Sequence, residues 1–354
     1  MKKLLILPVI LALVVIVLWV WRSRENGPHM ADGPPRIIPP EEYLAALEQR
    51  NIAVGHLENN AFDEAANLSA ELAGRFPEDP MPARNLAIAR ILKVGQIGQL
   101  QGEAARAEAI ADAEVALAKL AKIEPDAAAA PFLEGRLASE IDEPQRALDT
   151  RRQAARAEPD RAPLWFEYAQ AARYSDDPAV QESAWEALAK AAELAPDNLF
   201  VLLQLLEVQA ARQDEAFLRT FEQARPLLEF LADGVKRRAR IELEPFLDRA
   251  ESAARDGDWQ TARTQVMLIG NVSRPDNAVR SDKDRIELHE LDFVLTRFAP
   301  SFYEQAPQLP PPPPGIPVTF DPFETQPDLS GRGTLLDVAV ADVDLDGRPD
   351  LCVL

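Results

Sequence analysis

Apolar positions fall into unlike patterns along this chain. Leu4 to Trp21 is an eighteen-residue run without a charge, bounded by Met1-Lys2-Lys3 and by Arg22-Ser23-Arg24. An 18-residue helix is about 27 Å long at 1.5 Å per residue, close to the thickness of a hydrocarbon core. The run ends in Leu18-Trp19-Val20-Trp21, not in the small residues of a cleavage site, and tryptophans suit a membrane interface. The pattern therefore predicts an uncleaved anchor over residues 1–24. Residues 25–40, with Gly27, Pro28, Gly33, Pro34, Pro35, Pro39 and Pro40, read as a stalk. From Glu41 to about Gln305 the chain mixes Ala, Leu, Glu and Arg with brief interruptions by Pro, Asp and Gly, which predicts helices. Residues 306–334 hold Pro307, the run Pro310 to Pro314, Pro317, Pro322 and Pro327, a semi-rigid polyproline spacer. Leu335 to Val340 then alternates towards a strand, and Leu351 to Leu354 follows an acidic turn as a second one.

The helical region repeats itself. Ala65 precedes Pro77, Ala113 precedes Pro125, Ala147 precedes Pro159 and Ala184 precedes Pro196, each by twelve residues. The prolines lie 48, 34 and 37 residues apart, and a 34-residue period is that of the tetratricopeptide repeat. Gly135 and Ala169 fall at that repeat's small first-helix position, Trp165 at its leading aromatic and Phe62 at the aromatic before the second helix. The region resembles a tetratricopeptide repeat array. It departs from the pattern at the second-helix aromatic, replaced by Ser69, Leu117, Arg151 and Leu188. Gly95, Gly98 and Gly102 suggest a longer loop, and Asp256-Gly257-Asp258-Trp259 with Ala262 suggests another inter-helix turn. The resemblance implies a mainly α solenoid of antiparallel helix pairs over 41–305, at least four and as many as six or seven. Its concave surface would take a protein or peptide partner.

The acidic turn carries the clearest candidate chemistry. Carboxylates at Asp342, Asp344 and Asp346, then Gly347, the Arg348 carbonyl and Asp350, are the donor types a hard Ca²⁺ ion collects in a tight loop. An EF-hand fails, because the twelfth position is Val353 and not a bidentate Glu. D-x-D-x-D-G-x-x-D-L between strands instead resembles the VCBS/FG-GAP repeat, a blade element of calcium-decorated β-propellers. Residues 335–354 would then be the start of such a repeat, and two strands cannot close a propeller, so the expectation is a piece of a longer chain.

Composition narrows the remaining classes. The chain has 354 residues and 38 Lys+Arg against 58 Asp+Glu, a formal charge of −20, which disfavours nucleic-acid partners. A single cysteine, Cys352, excludes an internal disulfide framework and reads as a strand residue. His29, His56 and His289 are too far apart for a local metal motif, and no nucleophile and base pair up, so no enzyme is expected here. Arg151-Arg152 and Lys236-Arg237-Arg238 read as solvated faces, and Asn67-Leu68-Ser69 and Asn271-Val272-Ser273 fit a glycosylation pattern that recurs by chance. The expected protein is a single-pass, exported scaffold of a bacterial inner membrane, anchored through residues 4–21 with its body on the periplasmic side. It would bind a protein partner in its groove and calcium at its end. The alternatives are the docking module of a longer enzyme and a calcium-dependent adhesin or glycan binder.

Overall fold

Four prolines decide where helices stop, and the computed structural model shows how. It describes residues 37–97, 102–173, 175–280, 286–308, 338–341 and 350–353. Twelve helices precede residue 281 among them: α1 (Pro40–Glu58), α2 (Phe62–Arg75), α3 (Pro80–Ile97), α4 (Glu103–Ile123), α5 (Ala129–Glu140), α6 (Pro144–Ala157), α7 (Ala162–Ala172), α8 (Pro178–Leu194), α9 (Leu199–Arg212), α10 (Ala216–Ala239), α11 (Glu244–Arg255) and α12 (Trp259–Arg280). They form six consecutive pairs, with each helix packed on its sequence neighbours and α3 also on α5. The final pair departs from the series, because α12 packs on α9 and α10 as well as on α11.

The proline rule has one backbone cause. The residue after α2, α4, α6 and α8 takes nearly the same conformation each time: Phe76 (φ −125, ψ 69), Glu124 (−126, 66), Glu158 (−125, 75) and Ala195 (−127, 67). Each still donates its N–H to the carbonyl four residues back. The following proline crowds the α conformation of the residue before it and brings no N–H, so the helix ends there. Each of these four residues also accepts a backbone hydrogen bond three residues on, from Asp79, Ala127, Arg161 and Asn198. Among the described residues, the turn within four of the six pairs passes through a residue of positive φ between 58 and 77: Asn60 (φ 58), Asp142 (60), Gln213 (58) and Gly257 (77).

The alanines are the packing partners of those stops. Ala65, Ala113, Ala147 and Ala184 are all buried, as are Ala169, Phe62 and Ala262. At Gly135 a Cβ would lie 2.9 Å from Thr150 Oγ1 and 3.4 Å from the Ala147 carbonyl, so α5 rides directly on α6. Gly135→Val is expected to cost about 1–3 kcal/mol by overpacking. Gly74→Ala, exposed on α2 with nothing near its Cβ, is expected to gain about 0.5–1 kcal/mol. Urea unfolding midpoints read both, and equal shifts would show that helix propensity, not helix approach, governs Gly135.

Several expectations are corrected. Gly95 lies inside α3, which runs to Ile97, so the loop before α4 is shorter than its glycines suggest. Arg151 is not a solvated face: it is largely buried, donates to Ser139 and lies 3.8 Å from Glu167. Helix was expected through Gln305, yet residues 286–299 carry only the 3₁₀ turn Glu290–Phe293 before the five-residue helix α13 (Pro300–Glu304). The single-pass membrane assignment is also corrected, since among the described residues no helix is long and apolar enough to cross a membrane. The 24-residue α10 has the length, but it carries Arg219, Glu222, Arg225, Glu229, Asp233 and Lys236-Arg237-Arg238. Leu4 to Trp21 lies outside the described residues.

The chain divides into two units, residues 1–307 and 308–354. In the second, β1 (Val338–Ala341) and β2 (Asp350–Val353) pair antiparallel, with Val338 opposite Val353, Ala339 opposite Cys352 and Ala341 opposite Asp350.

Candidate functional site

Residues 286–305 do not extend the array; they return along it. The segment begins against α7, where the Leu288 N–H donates to Glu167 Oε1 at 3.4 Å and Arg136 of α5 donates to the Leu288 carbonyl. Arg136 also pairs with Glu167 at 3.1 Å and lies 3.7 Å from Glu290, so one guanidinium ties α5, α7 and the returning segment together. Burial pushes the Arg151 guanidinium below its ordinary value, opposed by Glu167 and reinforced by Arg136. The segment next turns at Glu290–Phe293, where Asp292 accepts from the His289 N–H at 2.7 Å. Phe293 is thereby delivered between the Phe132 ring, stacked at 4.5 Å, and the Arg161 guanidinium at 4.5 Å.

Past that clamp the chain is read through its backbone. Asn85, 1% exposed on α3, donates Nδ2 to the Leu295 carbonyl at 2.8 Å and accepts the Leu295 N–H on Oδ1 at 3.0 Å. A side-chain amide matches a peptide group donor for acceptor, so this pair holds an extended chain whatever its side chains are. Asp79 accepts the Met81 N–H at 2.9 Å, at the start of α3, and the Ala299 N–H at 2.8 Å. Phe298 and Phe302, stacked at 4.1 Å, then enter a pocket with Tyr43 of α1 (4.9 Å from Phe302) and Phe76 (5.4 Å from Phe298). Ile38 N–H closes the run on the Gln305 carbonyl at 3.0 Å. The contacts thus proceed from α7 through α5 and α3 to α1, the first helices of four successive pairs.

Asp79 makes the site sensitive to rising pH. Burial is the largest influence and raises its carboxyl above the ordinary 3.8; the Met81 and Ala299 N–H groups oppose it, and Glu124 adds to the rise. The native state therefore holds this proton more tightly than the unfolded chain. Its contribution is complete below the unfolded value and is lost as pH rises through the folded one. Relative to Asp79→Asn, the wild-type urea midpoint is expected to fall as pH rises above the ordinary carboxyl value of 3.8 towards neutrality. A difference that is flat across this range would refute the assignment.

Beyond the returning segment the first-helix face continues onto α9. There a cleft of about 240 Å³ is lined by Phe200, Leu203, Gln204 and Glu207 of α9 and by Val266 and Met267 of α12. Gln204, which lines it, accepts from Gln170 of α7, one turn past Glu167.

The expected calcium residues Asp342, Asp344, Asp346 and Arg348 lie outside the described residues, and Asp350 opens β2. Among the described residues no group of three His, Cys, Asp or Glu side chains could hold a metal ion. The residues that do converge, Asp79, Asn85, Phe132, Arg136, Glu167, Phe293, Phe298 and Phe302, were not singled out by sequence reading. Their available signal was the spacing of Phe293, Phe298 and Phe302 in a stretch without the alanine and proline repeat marks.

No family model matches the chain, and no curated protein matches it. Solved structures with a similar course include a thermophilic TPR protein of Thermus thermophilus, at 18% identity over 53% of this chain and 86% of that one, TM-score 0.38. MamA residues 41 to the end from Desulfovibrio magneticus RS-1 matches at 22% identity over 52% and 93%, TM-score 0.37. Yeast Tom70 matches at 16% identity over 72% and 46%, TM-score 0.40.

Proposed function

We propose that this chain is a protein-interaction scaffold whose first-helix face takes an extended polypeptide segment. The observation that supports the reading is the backbone-directed grip on residues 286–305, made by Glu167 of α7, Arg136 of α5 and Asn85 of α3, from three different pairs, with Asp79 just before α3. Side chains aimed at a partner's main chain, with pockets between them for alternate side chains, are a general mode of peptide recognition. The α9 cleft leaves part of the same face open. A photo-cross-linking residue at Leu203, in that cleft, is expected to give partner adducts in the cells that make the protein. The same residue at Val115, 73% exposed on α4, is expected to give none. Adducts at Val115 alone, or at neither position, would sink the scaffold reading.

Calcium binding by Asp342, Asp344, Asp346, the Arg348 carbonyl and Asp350 is a separate proposal. It rests on the alternate carboxylates, and the pairing of Ala341 with Asp350 brings the two ends of the intervening stretch together. Titration calorimetry of the full chain with Ca²⁺ should show heat that Asp344→Ala abolishes. An identical trace from both proteins would refute it.

A further inference from the structure

The returning segment is buried in two separate apolar clusters. Ile286, Leu288 and Phe293 belong to the main core that runs through the helix pairs. Phe298 and Phe302 belong instead to a small cluster with Ile38, Tyr43, Ala46, Leu72 and Met81 at the start of the array. None of these seven side chains is shared with the main core. Lifting residues 295–305 away therefore uncovers the small cluster while leaving the stacked helix pairs closed over their own core. What it uncovers is a ready-made receptor: an apolar pocket walled by Tyr43, Phe76 and Met81, flanked by the Asn85 amide and the Asp79 carboxylate, both aimed at a main chain.

We propose that residues 295–305 are a detachable plug, and that the site beneath takes, in trans, a peptide that enters extended and ends in a helical turn, carrying two aromatic side chains four residues apart that stack on one another. The occupant's chemistry follows from the plug. Phe298 and Phe302 supply the aromatic pair, and the main chain of Leu295 and Ala299 supplies the groups that Asn85 and Asp79 read. The outward side of the plug makes few demands, since Arg297 and Pro300 are exposed. Sequence preference is thus concentrated on the two rings, with smaller contributions from Leu295, packed against the same cluster, and Tyr303, whose hydroxyl accepts from Arg50. The plug competes with any such ligand, and apparent affinity is the intrinsic affinity multiplied by the fraction of molecules whose plug is lifted.

This inference rests on the scaffold reading and has its own test. The probe is a fluorescent synthetic peptide copying residues 293–305, titrated into the full chain by anisotropy. Phe298→Ala with Phe302→Ala in the protein should raise probe affinity by about tenfold or more over wild type. Adding Asn85→Ala should abolish that gain, and a probe with alanine in place of Phe298 and Phe302 should not bind. No gain in the double variant would overturn the proposal. So would a concentration-dependent dimer of the double variant with no probe bound, which would assign the face to a second copy of the chain. Hydrogen exchange of the wild type covers the case in which the double variant misfolds. The amides of Leu295 and Ala299 should exchange at least tenfold faster than those of α5, through an opening insensitive to low denaturant. Exchange only with global unfolding would overturn the plug. Adducts at Leu203 with no probe binding would leave the scaffold standing and remove the plug alone.

Discussion

Phe132→Ala is expected to lower the unfolding free energy by about 3–5 kcal/mol, as measured by urea denaturation. The ring is 1% exposed on α5 and faces two systems at once. On one side it belongs to the core of the helix pairs, and on the other it stacks on Phe293 at 4.5 Å with the Arg136 guanidinium 5.1 Å from its centre. Truncation removes the transfer energy of the ring and leaves a cavity that neither α5 nor the clamped Phe293 is free to fill. The loss should be accompanied by faster amide exchange over residues 288–294. As a control, Val115→Ala, 73% exposed on α4, should shift stability by less than about 0.5 kcal/mol. A Phe132→Ala loss below about 1 kcal/mol would show that Phe293 is not seated on that ring.

The second large effect is expected at Asn85. Asn85→Leu keeps a similar volume but withdraws both partners of Leu295, whose N–H and carbonyl are then covered without a hydrogen bond. Each unpaired buried group costs about 1–3 kcal/mol, so a loss of about 2–5 kcal/mol is expected. The chain has one escape, which is to release residues 295–305 into water and lose only their contacts. In that event the equilibrium loss falls towards the lower figure, while the Leu295 amide loses its protection and α5 keeps its own. Unchanged stability together with an unchanged Leu295 exchange rate would contradict the hydrogen-bonded pair.

These two residues differ in how far sequence could find them. Phe132 lies three positions before Gly135, whose place in the repeat pattern already marks α5 as a first helix, so its burial was within reach of the pattern. Its stacking on Phe293 was not, because the two are separated by 161 positions and belong to elements with no common period. Asn85 gives no signal at all. A lone asparagine in a helix reads as solvent-facing, and only the arrival of Leu295 from 210 residues away makes it a buried peptide reader. Arg151 was misread for the same reason: local composition made it one of an exposed basic pair, whereas Glu167 and Ser139 from neighbouring helices enclose it.

The sequence alone determined where helices stop and where they approach one another. Both are local properties, set by a proline acting on the residue before it and by a side chain small enough for two backbones to meet. They recur at each of the four marked pairs because the same residues recur. Only the tertiary structure decided that the first-helix face carries a segment of the same chain. That outcome depends on a match between groups distant in sequence: ring on ring at Phe132 and Phe293, and amide on peptide at Asn85 and Leu295. Such a match is a property of surfaces that exist only after the helices have stacked, and no periodicity along the chain encodes it.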